Sequence, residues 1–323
     1  MISFVIADLE EIDIRLDQFL TSKINQYSRS KIQSWIQLGY VTVNSKIQKK
    51  SYVLENNDHI TIQIPTDDEI EKTHIIPEQI DLDILYEDEE IVIINKPSGM
   101  VVHPGKGNLT GTLIHGLLYH FKKLSNINGD IRPGIVHRLD CETSGVMVIA
   151  KTNSAHAILA DQFKNRLVKK EYYGITWGLW NNKNGIIDNP IARDKKDPTC
   201  YSVSKNGKPS TTYFSLQKHF RHCSSVLFYP KTGRTHQIRV HAAYYGFPIF
   251  GDLKYGGGLS RAKGYLPEFS QFYKKEMNKI GRHMLHAKTL EFYHPKNKKN
   301  VIFKAPLPKE FINLLNSFDS FYE

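Results

Sequence analysis

The loop His137-Arg138-Leu139-Asp140-Cys141-Glu142-Thr143-Ser144-Gly145 runs straight into an apolar stretch, Val146-Met147-Val148-Ile149-Ala150. A carboxylate in a polar loop that feeds a buried strand rests on a rigid support, as a nucleophile or general base requires. The residue types alone leave other readings open. Asp140 is equally suited to capping a turn through Thr143 and Ser144. Its neighbour Cys141 offers a thiol nucleophile. Asp140 and Glu142 together suggest a hydrolase pair, although two positions apart in a loop does not set two carboxylates across one scissile bond.

Other chemical signatures are missing from the sequence. It contains no GxxxxGK[S/T] phosphate loop, no GxGxxG after a strand, no HExxH and no GxSxG. The 14 histidines form no ligand cluster, and Cys141, Cys200 and Cys223 lie far apart with no CxxC pair. Neither a metal nor a cofactor is expected. Odd, widely spaced cysteines also fit a reducing cytoplasm. The opening residues lack the basic and apolar regions of a secretory signal, and no apolar run approaches the roughly 20 residues of a membrane span.

The elements that must position this loop are read from periodicity. β-branched runs predict strands at Leu82–Tyr86, Ile91–Asn95, Val146–Lys151, Glu171–Trp177, Thr211–Leu216, Ser225–Tyr229 and Val301–Lys304. Helices are expected at Thr112–His120, Ser154–Arg166, Gln237–Tyr244 and Lys309–Ser317. The mixture is α+β, with a large mixed or antiparallel sheet flanked by helices and loops.

With 43 Lys+Arg against 33 Asp+Glu, the net charge is +10, which suits a polyanionic partner such as nucleic acid. The excess is dense between Arg15 and Lys50, where seven basic residues face one acid, Asp17. In that region Ser28 reads as a helix N-cap, Ile32, Trp35 and Ile36 share one helical face, and Gly39 ends the helix. Acidic residues 66–72 read as a linker. The chain is thus expected to divide into residues 1–75, including the linker, and residues 76–323.

The stretch Arg15-Leu-Asp-Gln-Phe-Leu, Ser28-Arg-Ser-Lys-Ile and Gly39-Tyr-Val-Thr-Val-Asn44 resembles an S4 RNA-binding domain. That resemblance implies that Arg29, Lys31 and Lys49 lie near RNA phosphates. The larger unit resembles the RluA group of pseudouridine synthases through several motifs in order. These are Asn95-Lys-Pro-Ser-Gly99, Val102-His-Pro-Gly105, the HRLDxxTSG loop at 137–145, Lys169-Lys-Glu-Tyr172, Thr232-Gly-Arg-Thr-His-Gln-Ile-Arg-Val-His241, Gly251-Asp252 and Leu285-His-Ala287. Cys141 departs from the charged or polar residue of many relatives.

The resemblance implies a cofactor-free isomerase that flips a uridine out of folded large-subunit (23S) rRNA and rebuilds it as pseudouridine. Other rRNA or tRNA uridines are an alternative, and a catalytically silent ribosome-assembly factor is another. Asp140 would be the catalytic carboxylate, Arg239 its cationic partner, and Tyr172 the residue that stacks on uracil and is a candidate to take the C5 proton. Leu285 would wall the pocket. Arg138 would reach the flipped base or refill its space, and His137 would bind substrate or serve the loop structurally. The expected partner is rRNA, free or in an assembling large subunit, and the expected state is a cytoplasmic monomer without membrane contact. The basic, aromatic segment 254–282 reads either as an RNA clamp or as a surface helix with its apolar face inward.

Overall fold

The computed structural model describes residues 2–6, 11–24, 26–64, 75–105, 108–129 and 132–322, so the expected linker at 66–72 lies outside the described residues. The N-terminal part holds β1 (Ile2–Val5), α1 (Leu16–Lys23), α2 (Arg29–Gln37), β2 (Val41–Val43), β3 (Lys46–Ile47) and β4 (His59–Ile62). Its strands form an antiparallel sheet in the order β1-β4-β2-β3. Ser28 caps α2 by accepting the Lys31 amide at 3.3 Å. Gly39, with φ of 84°, turns the chain out of the helix as a left-handed C-terminal glycine does. Ile32, Trp35 and Ile36 then pack on Phe19, Leu20, Val41 and Ile60.

The larger part holds β5 (Ile84–Glu87), β6 (Ile91–Lys96), α3 (Leu113–His120), β7 (Ser144–Ala150), α4 (Asn153–Lys164), β8 (Lys169–Trp177), β9 (Asn184–Asp188), β10 (Ile191–Arg193), β11 (Tyr201–Val203), β12 (Thr211–His219), β13 (Cys223–Pro230), α5 (Gln237–Tyr244), α6 (Pro267–Ile280), β14 (Leu285–Tyr293), β15 (Asn300–Lys304) and α7 (Lys309–Tyr322). Among the described residues, nine strands join in the order β5-β6-β7-β14-β8-β13-β12-β9, with β15 also on β14. Only the β7–β14 pairing is parallel there. One core packs β6 and β7 against α3 and α4, and a second packs β8 and β13 against α5, α6 and α7.

The α+β reading with a large mixed sheet matches this architecture. The central strand β14 escaped it, because its interior carries His286, Lys288 and Glu291 and shows no clean apolar alternation. The short strands β9, β10 and β11 escaped it as well. Within segment 254–282, α6 buries Phe269 and Tyr273 and exposes Lys274 and Lys275, the inward apolar face that the surface-helix reading expects. No helix among the described residues is long and apolar enough to cross a membrane.

Candidate active site

The Asp140 loop is tied down from both sides. Gly145, with φ of 122°, is where β7 meets β14, and a Cβ there would lie 2.1 Å from the Ala287 carbonyl oxygen. Only glycine permits that approach. The two hydroxyls before it reach across to the start of β14, Thr143 to His283 Nε2 and Ser144 to His286 Nδ1, each at 2.8 Å. On the other side, Lys96 is fully buried at the end of β6 and donates to the carbonyls of Pro97 (2.7 Å), Met100 (2.9 Å) and Cys141 (2.9 Å). Those carbonyls use all its donors, and burial pushes its pKa down to about 8. The backbone one residue past Asp140 is therefore pinned.

The turn at Asp140 is closed by the backbone, the Thr143 amide donating to the Asp140 carbonyl at 3.1 Å, and among the described residues the Asp140 side chain caps no turn. Its Oδ2 instead accepts from Arg239 Nη1 at 3.1 Å. Arg239 comes from α5, whose sequence sorts its faces. Gln237 and His241, four apart, both bond the Thr212 hydroxyl of β12, at 2.9 Å each, and anchor the helix. Arg239, between them, projects from the opposite face.

The guanidinium is fixed on further sides. Nε donates to Asp252 Oδ2 at 2.7 Å and Nη2 to Asp252 Oδ1 at 2.9 Å, while the group lies 4.9 Å from the Tyr255 ring centroid. Burial works against its charge, yet Asp252 and Asp140 outweigh burial and raise its pKa above the ordinary arginine value. The sequence reading named Asp252 without giving it a job. The available signal was its place in the Gly251-Asp252 motif and the donor count of a guanidinium, which has more N–H groups than one carboxylate can accept.

Tyr172, on β8, lines a recess of about 110 Å³ with Leu285, Lys170 and Ile238. A cleft of about 800 Å³ adjoins it, and the two share Arg138, Leu139, Asp140, His236 and Arg239. Burial, and then the charge of Asp140, push the Tyr172 pKa up and keep its phenol protonated. Cys141 donates its thiol to the Gly99 carbonyl at 3.1 Å, and burial pushes its pKa up, which is the wrong direction for a thiolate nucleophile. Glu142 turns towards His283, with 3.1 Å between Oε2 and Nδ1, and forms no pair with Asp140.

The structure therefore gathers Asp140, Arg239, Tyr172, Arg138 and Leu285 around one opening. His137 stands behind it. Its Nε2 accepts the Val148 amide of β7 at 3.1 Å, its ring stacks on Phe163, and burial pushes its pKa down to about 3. It borders a neighbouring groove of about 460 Å³ rich in cations: Arg138, Lys164, Arg166, Lys170, Lys231 and Arg234. Arg29 and Lys31 belong to the N-terminal part. Arg29 holds the Asp17 carboxylate at 2.8 Å, and Lys31 lies over the rings of Tyr27 and Trp35.

The RNA pseudouridylate synthase family matches residues 90–244, and the S4 domain matches residues 14–60. An uncharacterized RNA pseudouridine synthase of Bacillus subtilis (strain 168) is 41% identical over 313 residues, covering 97% of each chain. Ribosomal large subunit pseudouridine synthase D of Escherichia coli (strain K12) is 38% identical over 311 residues, covering 96% of this chain and 92% of the relative. The structure of human RNA pseudouridylate synthase domain containing 4 superposes with a TM-score of 0.57 at 27% identity, over 73% of this chain and 93% of that one.

Proposed function

This chain belongs to the RNA pseudouridylate synthase family, which converts uridine to pseudouridine in RNA, and from that premise we propose that Asp140 carries the chemistry on uridines of large-subunit (23S) rRNA. The observation that supports this most is the Asp140–Arg239–Asp252 arrangement at the mouth of the Tyr172 recess. The reaction breaks N1–C1′, turns the freed uracil and joins C5 to C1′. N1 ends with a proton and C5 loses one, so no oxidant, reductant or energy source enters. Asp140 acts at the sugar or the ring as nucleophile or base, while Arg239 balances its charge from a direction set by Asp252.

Uracil fits against the Tyr172 face, with Leu285 as the apolar wall. Burial, and then the charge of Asp140, keep the phenol protonated in the resting enzyme. Where Asp140 acts as nucleophile, its negative charge is lost on bonding to substrate, which removes the smaller of the two causes holding the phenol protonated and eases its part in removing the C5 proton. Flipping the nucleotide costs a few kcal/mol. The cationic groove beside Arg138 offsets that cost by holding phosphates. Lys31 and Lys49 in the S4 domain add a second grip, with residues 1–75 as the RNA-binding unit and 76–323 as the catalytic one. The protein works in the cytoplasm as a monomer, on rRNA that is free or within an assembling subunit.

The test is to incubate the protein with unmodified 23S rRNA, precursor large subunits and tRNA, and to map pseudouridine by carbodiimide labelling and primer extension. New stops in 23S rRNA, free or in precursors, support the substrate assignment. Stops confined to tRNA overturn it.

A further inference from the structure

His236 is a side chain at the cleft that neither the motif reading nor the Arg239 geometry employs. It precedes α5 with φ of 56° and ψ of 19°, a left-handed conformation in which a side chain with a Cβ is strained. Helix capping does not explain that strain, because its side chain makes no cap hydrogen bond. What the conformation does achieve is to stand the imidazole between two groups. Nδ1 lies 2.6 Å from Tyr255 Oη, and Nε2 lies 3.9 Å from Asp140 Oδ2.

The hydrogen-bond partners favour one place for the ring proton. The Tyr201 amide donates to Tyr255 Oη at 3.0 Å, so that oxygen already accepts. Among the described residues the phenol has one acceptor for its own hydrogen, His236 Nδ1. An imidazole that accepts at Nδ1 carries its proton at Nε2, on the Asp140 side. The surroundings agree: burial, with Arg239 and Lys254 nearby, pushes its pKa down to about 4 against the pull of Asp140 and Asp252. A separation of 3.9 Å is too long for a hydrogen bond, and substrate-free active sites commonly hold such pairs apart until the complex closes.

We propose that His236 is a positioning residue: its Nε2–H joins Arg239 Nη1 in cradling Asp140 Oδ2 when RNA fills the cleft, leaving Oδ1 to face the nucleotide. Tyr255, itself held by the backbone of β11, aims the ring. Among the described residues nothing bonds Oδ1. The proposal rests on the reading of Asp140 as the reacting group.

Two measurements on the full-length protein test it. Nitrogen NMR of labelled histidine in the free protein should show His236 protonated at Nε2, and the Nδ1–H tautomer would overturn the proposal. In single-turnover assays with unmodified 23S rRNA and tRNA, His236→Asn, which tolerates the left-handed backbone, should slow conversion at least tenfold with RNA affinity within twofold of wild type. His236→Gln, whose amide reaches towards Nε2, should recover a substantial part of the rate. Equal losses in both variants, a loss confined to affinity, or an unchanged His236→Asn would each overturn it. Asp140→Asn run alongside separates the two claims. If Asp140→Asn is inert while His236→Asn is normal, only this inference fails, and if Asp140→Asn turns over, the reading beneath it fails.

Discussion

Arg239 and Asp252 meet through two parallel hydrogen bonds of 2.7 and 2.9 Å, and both side chains are almost fully buried. The pair leaves Nη1 as the donor that reaches Asp140 at 3.1 Å. One cation thus serves two carboxylates with different tasks, Asp252 setting its direction and Asp140 receiving it.

Removing Asp252 should therefore damage fold and turnover together. Asp252→Ala leaves Asp140 as the remaining carboxylate partner of Arg239 and strips two buried guanidinium donors of their acceptors, and leaving a buried donor unsatisfied costs about 1–3 kcal/mol, more when it is charged. Urea unfolding should show a loss of that order, and conversion by the surviving folded fraction should slow as Arg239 loses its bearing. Unfolding and turnover both equal to wild type would contradict the account.

Acid should destabilise the protein over a defined window. Burial is the leading cause that holds His103, His236 and His286 down to about 4 and His137 to about 3, against an ordinary value of 6.5. Between pH 6.5 and about 4 the unfolded chain binds protons there that the folded one does not, so stability falls as pH falls. Each such histidine contributes a slope of up to about 1.4 kcal/mol per pH unit. Melting curves across that window should show the decline, and His137→Asn should make it shallower.

Arg29 and Lys31 should part company when mutated. Burial opposes the charge of Asp17, but hydrogen bonds from Arg29, Arg15 and Gln33 outweigh it and lower its pKa. Arg29→Ala should therefore lower thermal stability at neutral pH. Lys31→Gln with Lys49→Gln should lower stability by no more than the roughly 0.5–1 kcal/mol of an exposed cation–π contact, and flatten the salt dependence of RNA binding by about 0.7–0.9 per lost phosphate contact. An unchanged slope would mean these lysines do not touch RNA.

Cys141 should be dispensable. Its thiol donates to Gly99 and its pKa is raised, so Cys141→Ser should convert uridine within a few-fold of wild type. Inactivity with normal folding would reopen the thiol reading.

The Tyr172 hydroxyl should matter where its ring is kept. Tyr172→Phe should bind RNA normally and slow conversion by about 10²-fold or more, the scale of a lost proton-transfer group. Wild-type turnover in that variant would limit Tyr172 to stacking.

Much of this site could be read from the chain because its parts are contiguous words. The Asp140 loop, the Tyr172 strand and α5 each carry their own motif, and the helical face that holds Arg239 opposite Gln237 and His241 follows from spacing. The cores of β6 and β7 were equally plain as apolar runs. What escaped depends on long-range pairing. β14 is central yet carries polar residues whose burial is made good by partners far away, such as Ser144 on His286. Asp252 acquires its role only when folding brings it to Arg239. His137 sits beside Asp140 in sequence, but β7 takes its ring nitrogen for the Val148 amide.

The most direct test of the central claim is a paired measurement on Asp140→Asn: RNA affinity, and pseudouridine formed per enzyme in a single turnover with unmodified 23S rRNA. The substitution keeps the side chain's size and removes its charge. Affinity is expected to stay close to wild type, with no detectable pseudouridine. Pseudouridine formed at the wild-type rate would contradict the claim.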